Sequence, residues 1–444
     1  ESFSTNSNEF KFLNADKPND EFILIQPRTK NLLYDVQDNG ENFYIKTNSK
    51  AKNFKIMVTK IGDPSIENWN DFVSYNNDIL TRRMIVFDDF LSTVEVFKGL
   101  TQIRIINLSD KSDYYINFGE ETYHADFGDN YDMHTDKLRY EFSSLTKPSS
   151  IYQHYMKTSK STLLKQEKVL GNYNQENYES KRIFASTEAG IKIPISLVYK
   201  KGLKLDGNNP LLLYAYGAYG NSRKADFSYD RISLLDRDFV YAIAHLRGGE
   251  EMGRQWYEQG KLLNKLNTFT DFIDCAKYLI DEKYTNPSKL CAIGKSAGGM
   301  LMAGVANMRP DLFKAIVAEV PWTDVITDNL DPDLPLTTTE YEEWGNSNNL
   351  EDYNYLKKYS PYDNLKSQNY PAILTTAAYN DTQVPYWSPA KWVARIRDLK
   401  TNNNPVLLET NMYSGHAGAS GRFEKYQLTA LEYAFMLNQV GINK

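Results

Sequence analysis

From residue 21 to about 158 the chain repeats one pattern, short runs in which apolar and polar positions tend to alternate: EFILIQ, LLYDVQ, NFYIKT, FKIMVTKIG, MIVFDDFL, TVEVFK, QIRIINL and YYINFG. Successive side chains of a strand face opposite sides, so this period predicts half-buried β-strands. Turn formers such as DNGEN and NLSDKSD separate several of the runs. Helical periodicity is scarce here. The stretch NNDILTRRMIVFDDFLSTVEVFKGLTQIRIINL reads as an antiparallel meander. Regularly spaced short strands belong to a sandwich, a barrel or a propeller, and the meander suits propeller blades.

After about residue 170 the pattern changes. NYNQENYESK is a polar hinge, and beyond it apolar strands alternate with helical stretches: IPISLVY, PLLLYAY, FVYAIAHL, NTFTDFIDCAKYLIDEKY, LCAIG, MLMAGVANM, KAIVAEV, PAILTTAAYND, SPAKWVARIRDL, NPVLLET and KYQLTALEYAFMLNQV. Phe269, Phe272, Ile273, Ala276, Leu279 and Ile280 recur at helical spacing on one face. Such alternation predicts an α/β domain with a mostly parallel sheet covered on both faces. Ligands of such sheets bind outside the strand carboxyl ends. The length of 444 residues exceeds one ordinary domain. The expected division is an all-β domain over 1–170 and an α/β domain over 171–444.

Composition narrows the function classes. A net charge of −6 argues against nucleic acid as a partner, because phosphate binding calls for a basic patch. No run approaches 18 consecutive apolar residues, so no membrane-spanning helix is expected. Cys275 and Cys291 have no metal-ligand spacing and form no disulfide framework, which points to a reducing, cytoplasmic setting, with a periplasmic one as the alternative. No metal or cofactor is expected, since no His/Cys/Asp cluster has ligand spacing. The chain opens on Glu1 without a signal-peptide pattern, so it is expected to begin part-way through a longer protein.

The candidate chemistry centres on Gly294-Lys295-Ser296-Ala297-Gly298, a G-x-S-x-G match. The bare pattern is weak, but it needs a strand before it and a helix after it, and the flanking residues supply both. Flanking glycines remove Cβ atoms that would clash in so tight a turn. A serine hydroxyl needs a base to take its proton, and His is the usual one. Of the five His residues only His416 follows Ser296, as the α/β-hydrolase order requires. It stands in a Gly-flanked loop after the strand PVLLET. The orienting acid should also follow a strand, and Asp381 ends PAILTTAAYND. Asp324, Asp328, Asp331, Asp333 and Asp363 are alternatives, read as turn and cap residues. One oxyanion donor is expected from the backbone N–H of Ala297, and a second from the loop after an earlier strand, where PLLLYAYGAYG offers Tyr216 and the Gly217–Gly220 loop that follows it. Neither that loop nor AHLRGGEEMGRQW has dinucleotide-binding spacing.

YAYGAYG, AHLRGGEEMGRQWYEQGKLLNKLNTFTDF, GKSAGGML, TTTEYEEWG, SPYDN, ND-Q-V--W-PAKWVA and SGHAG-SGR together resemble the oligopeptidase B group of the prolyl oligopeptidase family. The resemblance covers residues 180–444 and, more loosely, the strand-rich first part. It implies an α/β-hydrolase domain with a seven-bladed propeller capping the active site, of which this chain would hold the last blades. It also implies that Ser296, Asp381 and His416 form the triad, that Tyr216 is the oxyanion tyrosine, and that Tyr219 lies beside the specificity pocket. If LPLTTTEYEEWG is extended, Glu340 and Glu342 face one side. On composition that stretch reads as a solvated acidic turn; by resemblance the two match the acidic pair that holds a basic side chain. Where the family has a second acidic pair, this chain has Lys224 and Asp226, so selectivity for paired basic residues should be weak.

The resulting expectation is a serine peptidase acting on short basic peptides through an acyl-enzyme. An esterase with the same triad is one alternative, because fold and triad do not choose between amides and esters. An inactive strand-rich binding fragment is the other.

Overall fold

The computed structural model describes residues 2–3, 6–421 and 423–442. The chain divides into two compact units, one of 1–144, 148–168 and 251–255, the other of 145–147, 169–250 and 256–444.

The first unit holds three four-stranded antiparallel meanders. They comprise Tyr34–Asp38 to Asn70–Val73, Ile79–Val86 to Asp113–Tyr115, and Tyr123–Phe127 to Lys160–Gln166. Separate four-stranded sheets are propeller blades, and they settle the choice among sandwich, barrel and propeller. The blades pack in series. Tyr44 and Ile56 of the first meet Met84, Val86, Leu91 and Ile106 of the second. Ile85, Val94 and Ile103 of the second meet Ala125, Leu138 and Tyr140 of the third. Phe90–Phe97, in the middle blade, is therefore buried along almost its whole length.

The second unit is built on one eight-stranded sheet. Its strands are β1 (Tyr178–Ser186), β2 (Lys192–Lys200), β3 (Leu211–Tyr214), β4 (Val240–Ala244), β5 (Leu290–Lys295), β6 (Ala315–Glu319), β7 (Ala372–Ala378) and β8 (Val406–Asn411). The spatial order is β1-β2-β4-β3-β5-β6-β7-β8. β1 and β2 are antiparallel to their neighbours, and the remaining pairs are parallel. The stretch expected as a polar hinge runs into β1, an edge strand with one face partly solvated, which is why it reads as polar. The central strands are continuous apolar runs, and β7 is buried at every position. Helix α1 (Leu266–Asp281) turns Phe269, Phe272, Ile273, Ala276 and Leu279 inward; Ile280 is only partly covered. Four further helices carry or support the site: α2 (Ala297–Met308), α3 (Val325–Leu330), α4 (Tyr341–Trp344) and α5 (Trp387–Leu399), and α6 (Lys425–Val440) closes the chain. Among the described residues no helix is long and apolar enough to cross a membrane.

Candidate active site

Ser296 stands between β5 and α2 with φ 57° and ψ −118°, a conformation that costs a non-glycine residue about 1–3 kcal/mol. The fold holds it there. Its N–H donates to the Glu319 carbonyl on β6 at 2.8 Å, and its carbonyl accepts from Met300 N–H in the first turn of α2. The turn is too tight for side chains on either flank. A Cβ on Gly294 would lie 2.4 Å from the Gly298 carbonyl oxygen, and one on Gly298 would lie 2.8 Å from that of Ala215.

Asp381 and His416 come from the carboxyl ends of β7 and β8. The two loops are sewn together by Tyr379 N–H to the Asn411 carbonyl at 2.8 Å and Asn380 N–H to the Ser414 carbonyl at 3.2 Å. His416 Nδ1 lies 2.7 Å from Asp381 Oδ2, and Nε2 lies 2.9 Å from Ser296 Oγ. The other carboxylate oxygen, Asp381 Oδ1, accepts from the amides of Gln383 and Val384, each at 2.8 Å. Burial alone would raise this carboxyl. The hydrogen bonds from His416, Val384 and Gln383 together outweigh it and hold the group below its ordinary value. The other aspartates are engaged elsewhere: Asp324 ion-pairs with Lys391, Asp363 accepts from Ser360 Oγ, and Asp331 and Asp333 are exposed.

Ala297 opens α2, so its N–H is among those a helix leaves without an internal acceptor, at the positive end of the helix dipole. Tyr216, just past β3, lines the same cleft as Ser296 and Ala297. Burial foremost raises its pKa, keeping it a proton-bearing donor; the Arg223 guanidinium, stacked 5.5 Å from its ring, pulls the other way.

Beside the serine a cleft opens, bordered by Tyr219, Trp322, Asp328, Glu340 and Trp344. Tyr219 has φ 59°, again strained for a non-glycine residue. Its N–H is pinned to Glu343 Oε1 at 2.9 Å, and its hydroxyl donates to Glu340 Oε2 at 2.9 Å. Trp344 Nε1 donates to the same Glu340 oxygen at 2.9 Å. Burial raises the Glu340 carboxyl, opposed by these two hydrogen bonds.

The extended reading of this segment fails. Residues 338–344 form a 3₁₀ turn running into α4, so faces repeat every three to four residues, not every two. Glu342 therefore lies on the exposed side, while Glu343 is buried and accepts from Tyr257 at 2.5 Å. A helical reading of TEYEEW would have set Glu340 with Glu343 and Trp344. Asp226 is not in the cleft wall; its carboxylate lies 3.7 Å from Arg231. Asp328, considered above only as an acid for His416, is in the wall. Arg422, the last residue of the SGHAG-SGR motif, lies outside the described residues. Among the described residues no group of three His, Cys, Asp or Glu is placed to hold a metal.

Comparison with known proteins fits this geometry. The model described as "Prolyl oligopeptidase family" matches residues 225–443, and that described as "Prolyl oligopeptidase, N-terminal beta-propeller domain" matches residues 1–167. Dipeptidyl aminopeptidase BI of Pseudoxanthomonas mexicana is 44% identical over 99% of the chain, and Protease 2 of Moraxella lacunata is 39% identical over 99%. The chain spans 61% and 63% of the length of these two curated relatives. Among solved structures, oligopeptidase B from Leishmania major superposes with a TM-score of 0.93 at 37% identity, over 99% of this chain and 63% of that one. The closed form of oligopeptidase B from Trypanosoma brucei, with covalently bound antipain, gives 0.94 at 36%, over 100% and 64%.

Proposed function

The chain belongs to the prolyl oligopeptidase family, and from that premise we propose that it is a serine peptidase cleaving short peptides after Arg or Lys through an acyl-enzyme. The observation that carries the reading is the relay Asp381–His416–Ser296, at 2.7 and 2.9 Å, on a strained strand-to-helix turn.

Ser296 Oγ attacks the scissile carbonyl while His416 Nε2 takes its proton. Asp381, bonded to Nδ1, holds the ring in the tautomer with Nε2 free to accept, and stabilises the imidazolium that forms. The carbonyl oxygen becomes an oxyanion, received by the Tyr216 hydroxyl and the Ala297 N–H. Each such donor is worth about 10²–10³ in rate, because it is aimed before the charge develops. His416 then gives the proton to the leaving amine. Water hydrolyses the acyl-enzyme by the same relay in reverse.

Glu340 supports the basic preference. It is a carboxylate in the cleft wall that Trp322 also lines, and a cationic side chain gains from both a carboxylate and an indole face. The 44% identical relative favours a second reading, release of dipeptides from a free amino terminus. Buried, unbridged Cys275 and Cys291 suit a reducing compartment, and the cytoplasm is the proposed location.

The test is Ser296→Ala with matched substrates carrying Arg, Lys, citrulline or Phe before the cleaved bond, with free and blocked amino termini. The variant should lose about 10⁴ or more in kcat and all labelling by a fluorophosphonate. Undiminished labelling would refute the nucleophile. Loss of cleavage on blocking the amino terminus would favour the dipeptidyl reading.

A further inference from the structure

The cleft wall holds a second carboxylic acid. Asp328, on α3, borders the same cleft as Glu340 and Ser296 and is 5% exposed. Its backbone is already engaged: its N–H donates to the Asp324 carbonyl at 3.1 Å, and its own carbonyl accepts from Asp331 N–H at 3.3 Å and Thr337 Oγ at 3.0 Å. Its side chain is the acidic group that α3 brings to the cleft. The Thr337 bond also ties α3 to the start of the turn that carries Glu340, so the two acids are held in one frame. Trp322, which shares the wall, donates its Nε1–H to Asp328 Oδ2 at 3.0 Å, and its ring packs edge-on against Trp344 with centroids 5.2 Å apart.

We propose that Asp328 is the second carboxylate of the specificity cleft, so that the cationic head of an Arg or Lys side chain is received by Glu340 and Asp328 together against the Trp322–Trp344 wall. The proposal rests on the basic-specificity reading above and assigns to Asp328 the place that the sequence had suggested for Glu342. Two acids suit the planar, multiply donating guanidinium better than a point charge, so Arg should exceed Lys.

A consequence follows for pH. Asp328 is pushed up to about 7, first by burial and next by the neighbouring Asp324. Trp322 and Ser388 oppose this through hydrogen bonds, and Lys391, paired with Asp324 from α5, opposes it through its charge. A bound cation favours the ionised carboxylate. Preference for a cation over a neutral isostere should therefore be weak at pH 6, where Asp328 is mostly protonated, and strong at pH 8.

The experiment measures kcat/KM for matched Arg and citrulline substrates from pH 5.5 to 9 and takes their ratio. The acid–base state of His416 enters both substrates alike and cancels. In the unaltered protein the ratio should rise about tenfold between pH 6 and 8, as the ionised fraction goes from about a tenth to nine-tenths. Asp328→Asn should lower the ratio at pH 8 by about tenfold and remove the slope. Glu340→Gln should lower it at every pH. A strong Arg preference with a flat ratio, measured without any variant, overturns the role of Asp328 while leaving the basic cleft standing. So does a slope that survives in Asp328→Asn. A ratio near one at every pH sinks the basic cleft itself and this proposal with it.

Discussion

Replacing Gly298 with Ala tests whether the serine turn and Tyr216, the proposed oxyanion donor, are one mechanical unit. The added methyl would lie 2.8 Å from the Ala215 carbonyl oxygen, 3.3 Å from Tyr216 Cα and 3.4 Å from Tyr216 Cδ2. Ordinary contact begins near 3.4 Å, so the Ala215–Tyr216 segment must retreat by about 0.6 Å. The atoms in the way are main chain, which cannot rotate aside as a flexible side chain would. Overpacking of this kind costs about 1–3 kcal/mol of stability. The catalytic cost should exceed that, because the Tyr216 side chain lines the cleft beside Ser296 and moves with its backbone. A misplacement of about 1 Å can cost ~10² in rate. Gly298→Ala should thus lose about 10- to 100-fold in kcat/KM, and Tyr216→Phe about 10²–10³. The decisive measurement is the double variant, assayed with a chromogenic Arg amide alongside denaturant unfolding of all four proteins. If Gly298 acts through Tyr216, the double variant is no worse than Tyr216→Phe within about threefold. Losses that multiply would refute the mechanical link and place the damage at Ser296 itself.

Three further outcomes are expected. Asp271 receives a bidentate bond from Arg247, Nε to Oδ2 at 2.8 Å and Nη2 to Oδ1 at 2.5 Å, with both residues buried; Asp271→Ala should cost about 3–5 kcal/mol, read from the urea midpoint, and an unchanged midpoint would refute it. Glu432 is 4% exposed, and its pKa is raised by burial first and by Glu319 next. The folded state therefore keeps a proton that the unfolded chain has lost, so its stabilising share is full at acid pH and declines as pH rises above the ordinary carboxyl range; Glu432→Gln should be more stable than the parent by about 2–3 kcal/mol at pH 7 and no different at pH 4, and equal stability at both would refute the buried acid. Lys265, buried with Nζ on the Gly217 carbonyl, is lowered to about 8, chiefly by burial, so the folded state sheds a proton that the unfolded chain keeps; relative to Lys265→Met the parent should gain stability from pH 8 to about 10.5, and a flat difference would refute the shift.

Local order was legible wherever a short stretch decides its own conformation. Most alternating runs became blade strands, but EFILIQ pairs through Ile23–Leu24 with Lys11–Phe12 in a separate two-stranded sheet, and MIVFDDFL spans the turn between two strands; the apolar stripe of α1 became a buried face except at Ile280. Ser296 was legible because the turn demands glycines on both flanks, a requirement of backbone sterics within a few residues. The segment from 334 to 344 was not legible in the same way. TTTEYEEW admits both a strand and a helical turn, and what chose between them lies far off in sequence: Tyr219 and Tyr257 bond Glu343, Tyr219 also bonds Glu340, and Thr337 ties the segment to α3.

The sequence by itself determined the class of each unit, the strand–turn–helix that carries Ser296, and His416 as the one His that follows it. Tertiary structure alone decided which acid meets that His, since Asp381 and His416 are 35 residues apart and adjoin only because β7 and β8 pair in parallel. It alone turned Glu342 outward and Glu343 inward, and brought Asp328 into the wall with Glu340. The physical reason is range. Steric and hydrogen-bond preferences act over a few residues and are written locally, whereas the side on which a carboxylate lands depends on which distant donors the fold delivers to it.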